Sequence, residues 1–152
     1  MERSRREPSV ADDNRQPAAE PTTIDERLFK RVVEGYLGVP YARGGSDSAG
    51  MDCSNLVSVL FRDYSGTSLP PSTRALWHLP REVSREELAV GDLVFFAYGS
   101  RTPSHVGVYM GGNRFVHASE TEGVVMSSLD DADFRDAYKG ARRVVSELRS
   151  EQ

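Results

Sequence analysis

The hydrophobic residues of this chain change their period at Gly91. Before it, apolar positions recur every three or four residues; after it they come in short Val-, Phe- and Tyr-rich runs separated by Gly, Ser, Pro and Asn. Helix-period pattern followed by strand-period pattern constrains the chain to an α+β domain, with helices laid on an antiparallel sheet. Its 152 residues suffice for one compact core.

The helical half reads as a series of capped elements. Thr23 and Glu26 fit a capping box ahead of Ile24, Leu28, Val32 and Tyr36, and Gly38 and Pro40 end that first helix. Residues 41–50 hold five glycine or serine positions in a short stretch and read as irregular loop. In the second helix Asp52 is the N-cap, while Cys53, Leu56, Val57, Leu60, Phe61 and Tyr64 share one face up to a stop at Gly66. A short helix is expected between Leu69 and Pro80, and a helical turn from Arg85 to Leu88. Strands are expected at 92–97, 105–110, 114–118, 124–128 and 142–148, with a short helix between 130 and 138. Residues 1–22, rich in Arg, Glu, Asp, Pro and Ala, read as a disordered tail or linker, which leaves 23–148 as the folded domain.

Charge and hydropathy exclude several partners. The net charge is −4, with nineteen Lys and Arg scattered among twenty-three Asp and Glu. No basic stripe with interleaved aromatics is present, so no nucleic acid is expected. No apolar run reaches the length of a transmembrane segment. The first 22 residues lack the apolar stretch of an intact signal peptide. The residues therefore leave two locations open, the cytoplasm or export under a signal already removed.

Cys53 is the lone cysteine, so it has no disulfide partner within the chain and no Cys-rich zinc site. A lone cysteine is more often a small buried hydrophobe than a nucleophile. Its address reverses that preference. It opens an amphipathic helix directly after the cap, where unpaired N–H groups and the positive end of the helix dipole favour a thiolate. The same N–H groups suit the oxyanion of a tetrahedral intermediate. A thiol nucleophile calls for a base, and the chain offers His78, His105 and His117. His78, beside Trp77 and just before Pro80, reads as a surface or packing residue. His105 opens the strand His105-Val-Gly-Val-Tyr-Met110, and His117 sits near the end of the next. Two alternatives remain on the residues alone: histidines that only pack in a sheet, and a Cys53/His105/His117 metal site without the short ligand spacing of a zinc motif.

Register makes the histidine pair testable. A two-residue loop at Gly111-Gly112 would point the two rings to opposite faces. A three-residue loop, Met110-Gly-Gly112, would set His105 directly opposite His117. A joint role therefore requires an odd-length connection or a bulge.

Five segments, Tyr36-Leu-Gly-Val-Pro-Tyr-Ala-Arg-Gly-Gly45, Met51-Asp-Cys-Ser-Asn-Leu-Val57, Gly91-Asp-Leu-Val-Phe-Phe96, His105-Val-Gly-Val-Tyr109 and Phe115-Val-His-Ala-Ser119, occur in an order and spacing that resembles the NlpC/P60 family of papain-like cell-wall cysteine peptidases. The resemblance covers roughly residues 28 to 145 and implies a papain-like α+β fold. It implies Cys53 as nucleophile, His105 as base and His117 as the polar group that orients the imidazole. It also implies Tyr41 lining the site, and Asp52 and Ser54 beside the nucleophile, at positions that in some members hold a substrate amine. The implied reaction is hydrolysis of the γ-D-glutamyl–diamino acid bond (diaminopimelate or lysine) in peptidoglycan stem peptides, with no cofactor and no metal. A cell-envelope location, periplasmic or secreted, follows, with a membrane tether through a removed N-terminal signal as one arrangement. The family usually has Gly where this chain has Asn55, which bears on specificity. A noncatalytic wall-binding or scaffolding domain and a thiol amidase acting on another amide stand as the other readings of the same fold.

Overall fold

The computed structural model describes residues 24–144. Thr23, the tail before it and the stretch from residue 145 onward lie outside the described residues, so the expected Thr23 cap and the end of the last strand fall there. The first helix, α1 (Glu26–Glu34), is capped by Asp25, whose side chain accepts from Leu28 N. It buries Phe29 and Val33. The glycine-rich segment after it is not wholly irregular. Ser46–Asp47 (β1) and Gly50–Met51 (β2) form a small antiparallel pair, and Tyr41 bridges to Met51. Gly45 and Gly50 permit this because a Cβ at either would lie 2.4 Å from Gly50 O or Ala42 Cβ respectively.

The second helix, α2 (Cys53–Ser65), follows the expectation closely. Asp52 is its N-cap, and Gly66 ends it in the left-handed conformation. Leu56, Val57, Val59, Leu60 and Phe61 are buried along it, so this helix is the spine of the larger core. A short helix α3 (Thr73–Trp77) and a 3-10 turn (Arg85–Glu87) stand where they were expected.

The sheet has six antiparallel strands: β3 (Glu82–Val83), β4 (Leu93–Phe96), β5 (His105–Gly111), β6 (Arg114–Ser119), β7 (Gly123–Ser128) and β8 (Tyr138–Arg142). Their order is β3-β8-β4-β5-β6-β7. The helix α4 (Ala132–Ala137) lies before β8 in the chain. The last strand begins four residues before the expected 142. Gly140 pairs there with Phe95, and Trp77 packs 3.2 Å from where a Cβ on Gly140 would stand. A lone glycine among polar residues hides such a strand from a pattern reading.

Alternation along the strands sorts two cores. Leu93, Phe95, Val106, Val108, Val116 and Ala118 belong with α1 and α2. Val94, Phe96, Tyr109, Phe115 and Ala141 form the second, with Leu129, Ala137 and Phe134. Both faces of the central strands are covered, which explains why β4 reads as an unbroken apolar run rather than as an alternation.

Candidate active site

The two histidines owe their meeting to a bulge. β5 and β6 pair Val108 with Val116 and Tyr109 with Phe115, but Gly111 with Arg114, so Met110 is the extra residue. The loop itself is Gly112-Asn113, both at positive φ, as a two-residue hairpin turn demands. Continuing the register from Gly111 and Arg114 without the bulge would send the histidines to opposite faces. With it, Gly107 stands against His117 and His105 against Ser119. The rings therefore share one face but are offset diagonally rather than set directly opposite. Gly107 leaves the opening between them, since a Cβ there would lie 3.2 Å from His117 Cβ and 2.7 Å from Val116 O.

Across that opening His105 Nε2 and His117 Nδ1 are 2.8 Å apart, with the rings edge to face. His117 Nε2 in turn lies 2.9 Å from Ser127 Oγ on β7. His105 Nδ1 has no hydrogen-bond partner among the described residues. A neutral His105 with its proton on Nε2 donates to His117, which passes a second N–H to Ser127, and leaves the Nδ1 lone pair as a base. Ser127 was not anticipated. Its polar side chain on a strand otherwise led by valines was the available signal.

Burial controls the charge of both rings. Loss of water pushes His105 down from its usual range to about 4. Burial, reinforced by the neighbouring charge of His105, pushes His117 down to about 3. Both are neutral at neutral pH, the form in which an imidazole accepts a proton.

Cys53 is half-buried against the helical core as the first residue of α2. Asp52 accepts from Asn55 N at 2.9 Å through one oxygen and from Gly44 N at 2.9 Å through the other. Leu56 N bonds Asp52 O. The N–H groups of Cys53 and Ser54 carry no bond among the described residues, so two backbone donors remain at the helix start. The thiol bonds Thr73 Oγ1 at 3.6 Å. No hydrogen bond links Cys53 to His105 among the described residues. His105 and His117 stand on the sheet face that carries Phe96 and Phe115, whereas Cys53 packs with the helices.

Glu120 connects the two halves. It lines a cleft of about 420 Å³ with His105, His117, Ser119, Ser104, Tyr98 and Phe134. Its carboxylate also acts on Tyr41: burial first, then electrostatic interaction with Cys53, Glu120 and Asp52, raises the Tyr41 phenol above its ordinary range against the opposing Arg43. Ser54 is 7% exposed and donates to Pro71 O at 3.2 Å, so its hydroxyl is turned inward. Asn55 Nδ2 donates to Gly45 O at 3.1 Å, so its side chain reaches the glycine loop. His78 is exposed at the end of α3. Among the described residues no three His, Cys, Asp or Glu side chains are grouped to hold a metal ion, and no helix is long and apolar enough to cross a membrane.

Residues 38–143 match the NlpC/P60 family. The chain belongs to that family. Among curated relatives it is 44% identical over 119 residues to the Escherichia coli murein DD-endopeptidase MepS/murein LD-carboxypeptidase, covering 76% of this chain and 63% of that one. It is 39% identical over 113 residues to the probable endopeptidase NlpC of Escherichia coli, covering 74% and 73%. A gamma-DL-glutamyl hydrolase of Bacillus subtilis is 38% identical over 131 residues, covering 85% of this chain and 32% of that protein. The chain thus spans somewhat under two thirds of the length of MepS. Solved NlpC/P60 structures share the papain-like α+β fold. One from Staphylococcus aureus superposes with TM-score 0.72 at 34% identity, over 85% of this chain and 45% of that one. One from Bacillus cereus does so with TM-score 0.74 at 26% identity, over 83% and 42%.

Proposed function

We propose that this NlpC/P60 domain is a peptidoglycan endopeptidase that hydrolyses the γ-D-glutamyl–diamino acid bond of stem peptides through a cysteine acyl-enzyme. The observation that carries the reading is the His105–His117 bond at 2.8 Å through Nε2, which leaves Nδ1 as the basic nitrogen. Its support is a lone thiol at the first residue of a capped helix, with two unpaired N–H groups beside it. The names of the relatives, murein endopeptidase and gamma-DL-glutamyl hydrolase, support the substrate class.

The chemistry runs as acyl transfer. The Cys53 proton passes to His105 Nδ1 in the substrate complex, since catalytic contacts commonly tighten only with substrate in place. The thiolate attacks the γ-carbonyl, and the N–H groups of Cys53 and Ser54 hold the oxyanion. Imidazolium at His105, stabilised by its donation to His117, protonates the leaving amine. Water, deprotonated by the same nitrogen, then releases the acyl group. Tyr41 lines the site. Asp52 accepts from Gly44 N, Asn55 N and, at 3.5 Å, Ser54 Oγ, and its two oxygens keep acceptor capacity for a substrate amine beyond these three internal bonds, whereas Ser54 also holds the chain near Pro71. The place of action is the cell envelope, periplasmic or secreted, with a membrane tether through a removed N-terminal signal as one arrangement.

Digestion of purified muropeptides by wild type, Cys53→Ala and His105→Ala, with products identified by mass, tests the proposal. The expected products are fragments split at the D-glutamyl–diamino acid bond. Cys53→Ala should abolish them and His105→Ala should slow them by about 10²- to 10⁴-fold. Unaltered cleavage by Cys53→Ala would overturn the mechanism, and an inert reduced wild type would favour a wall-binding role.

A further inference from the structure

Two consecutive residues at the start of α2 each contact the segment that opens α3. Cys53 Sγ lies 3.6 Å from Thr73 Oγ1, and Ser54 Oγ donates to Pro71 O at 3.2 Å. Ser72, between them, caps α3 by accepting from Ala75 N at 3.1 Å. The nucleophile therefore carries a hydroxyl at hydrogen-bond distance, held there by a tether from its own neighbour and by a helix cap. Ser54 itself is buried, and its hydroxyl also lies 3.5 Å from Asp52 Oδ1.

We propose that Thr73 is a catalytic residue that donates its hydroxyl hydrogen to the sulfur anion, and that Ser54 is a positioning residue that holds Thr73 against it. The role rests on Cys53 being the nucleophile. In the resting thiol one hydrogen is shared between Sγ and Oγ1. When the S–H bond breaks, the proton goes to His105 Nδ1 and the electron pair stays on sulfur. Sulfur is then an acceptor only, and the Thr73 O–H turns to donate to it. The bond becomes charge-assisted at the moment the nucleophile forms, which favours the reactive species over the resting one. No other side chain hydrogen-bonds the sulfur among the described residues.

Because Cys53 is the sole cysteine, iodoacetamide alkylation reports on it alone and needs no peptide substrate. The experiment follows alkylation rate against pH for wild type, Thr73→Ser, Thr73→Val and Ser54→Ala, with thermal melting of each. Thr73→Val should slow alkylation at neutral pH by about tenfold and move the half-maximal rate to higher pH. Thr73→Ser should retain the wild-type profile, and Ser54→Ala should shift it partway. A wild-type profile in Thr73→Val would overturn the proposal. Should that variant fail to fold, Ser54→Ala decides, since an unshifted profile there removes the positioning role. A shifted Thr73→Val profile in a protein whose wild type leaves muropeptides intact would place the failure in the substrate reading and not in Thr73.

Discussion

Asn55 stands where the family usually has glycine, and it reaches backwards. Its amide donates to Gly45 O, a carbonyl that also accepts from Asp52 N at 3.1 Å. With Gly44 N held by the Asp52 carboxylate, the glycine loop behind Tyr41 is fastened to the helix start at three points. Asn55→Gly removes one hydrogen bond and places glycine in the first turn of a helix. It should lower unfolding stability by about 1–2 kcal/mol in urea titration. On the proposed mechanism, steady-state kinetics should show a raised KM with kcat nearly unchanged, because the loop beside Tyr41 loosens while Cys53 and His105 stay in place. A side chain that instead touched substrate would alter the choice between diaminopimelate and lysine.

At the scale of elements, the β5–β6 hairpin is where packing and chemistry meet. The bulge at Met110 puts His105 and His117 on one face, and Gly107 leaves room for the rings to touch. Gly107→Ala forces a methyl to within 2.7 Å of Val116 O and 2.8 Å of a Phe115 ring carbon. Both neighbours sit in buried strand, so the strain has little outlet. The expected cost is about 1–3 kcal/mol of stability, measured by chemical denaturation. Activity should fall further than stability explains, because the displaced groups carry His117. Wild-type activity in a folded Gly107→Ala variant would show that the histidine contact tolerates a shifted strand.

For the whole molecule, the sheet is pinned across its middle. Asp92 is buried and takes both Nε and Nη2 of Arg143 at 2.8 Å, tying the start of β4 to the residue after β8. The buried histidines make stability depend on pH. Unfolded, each binds a proton below about pH 6.5; folded, they resist until about 4 for His105 and about 3 for His117. Between those limits the unfolded state holds more protons, so unfolding free energy rises with pH. The contribution is complete above about 6.5 and is lost as pH falls towards 4 and 3. Thermal melting from pH 7 to pH 4 should show a falling midpoint. In His117→Asn, which removes one of the two titrating rings, the fall should be shallower. An equal slope in that variant would mean that carboxylates alone set the acid limb.

The sequence by itself determined the α+β class, the capped helix with Cys53 at its first residue, the central strands and the need for a bulge if the histidines act together. These follow from local causes: side-chain period, a carboxylate that caps N–H groups, glycine where φ turns positive. Tertiary structure decided the rest. Which residue bulges, and hence that His105 meets His117 on a diagonal, depends on pairing between strands rather than on either strand alone. Ser127 and Thr73 reach the site from elements 10 and 20 residues away from their partners, and no local pattern marks such neighbours. The inward turn of Ser54 and the backward reach of Asn55 were likewise settled by what packs around the start of α2. A side chain of one or two bonds takes whichever partner the surrounding chain brings within hydrogen-bond distance.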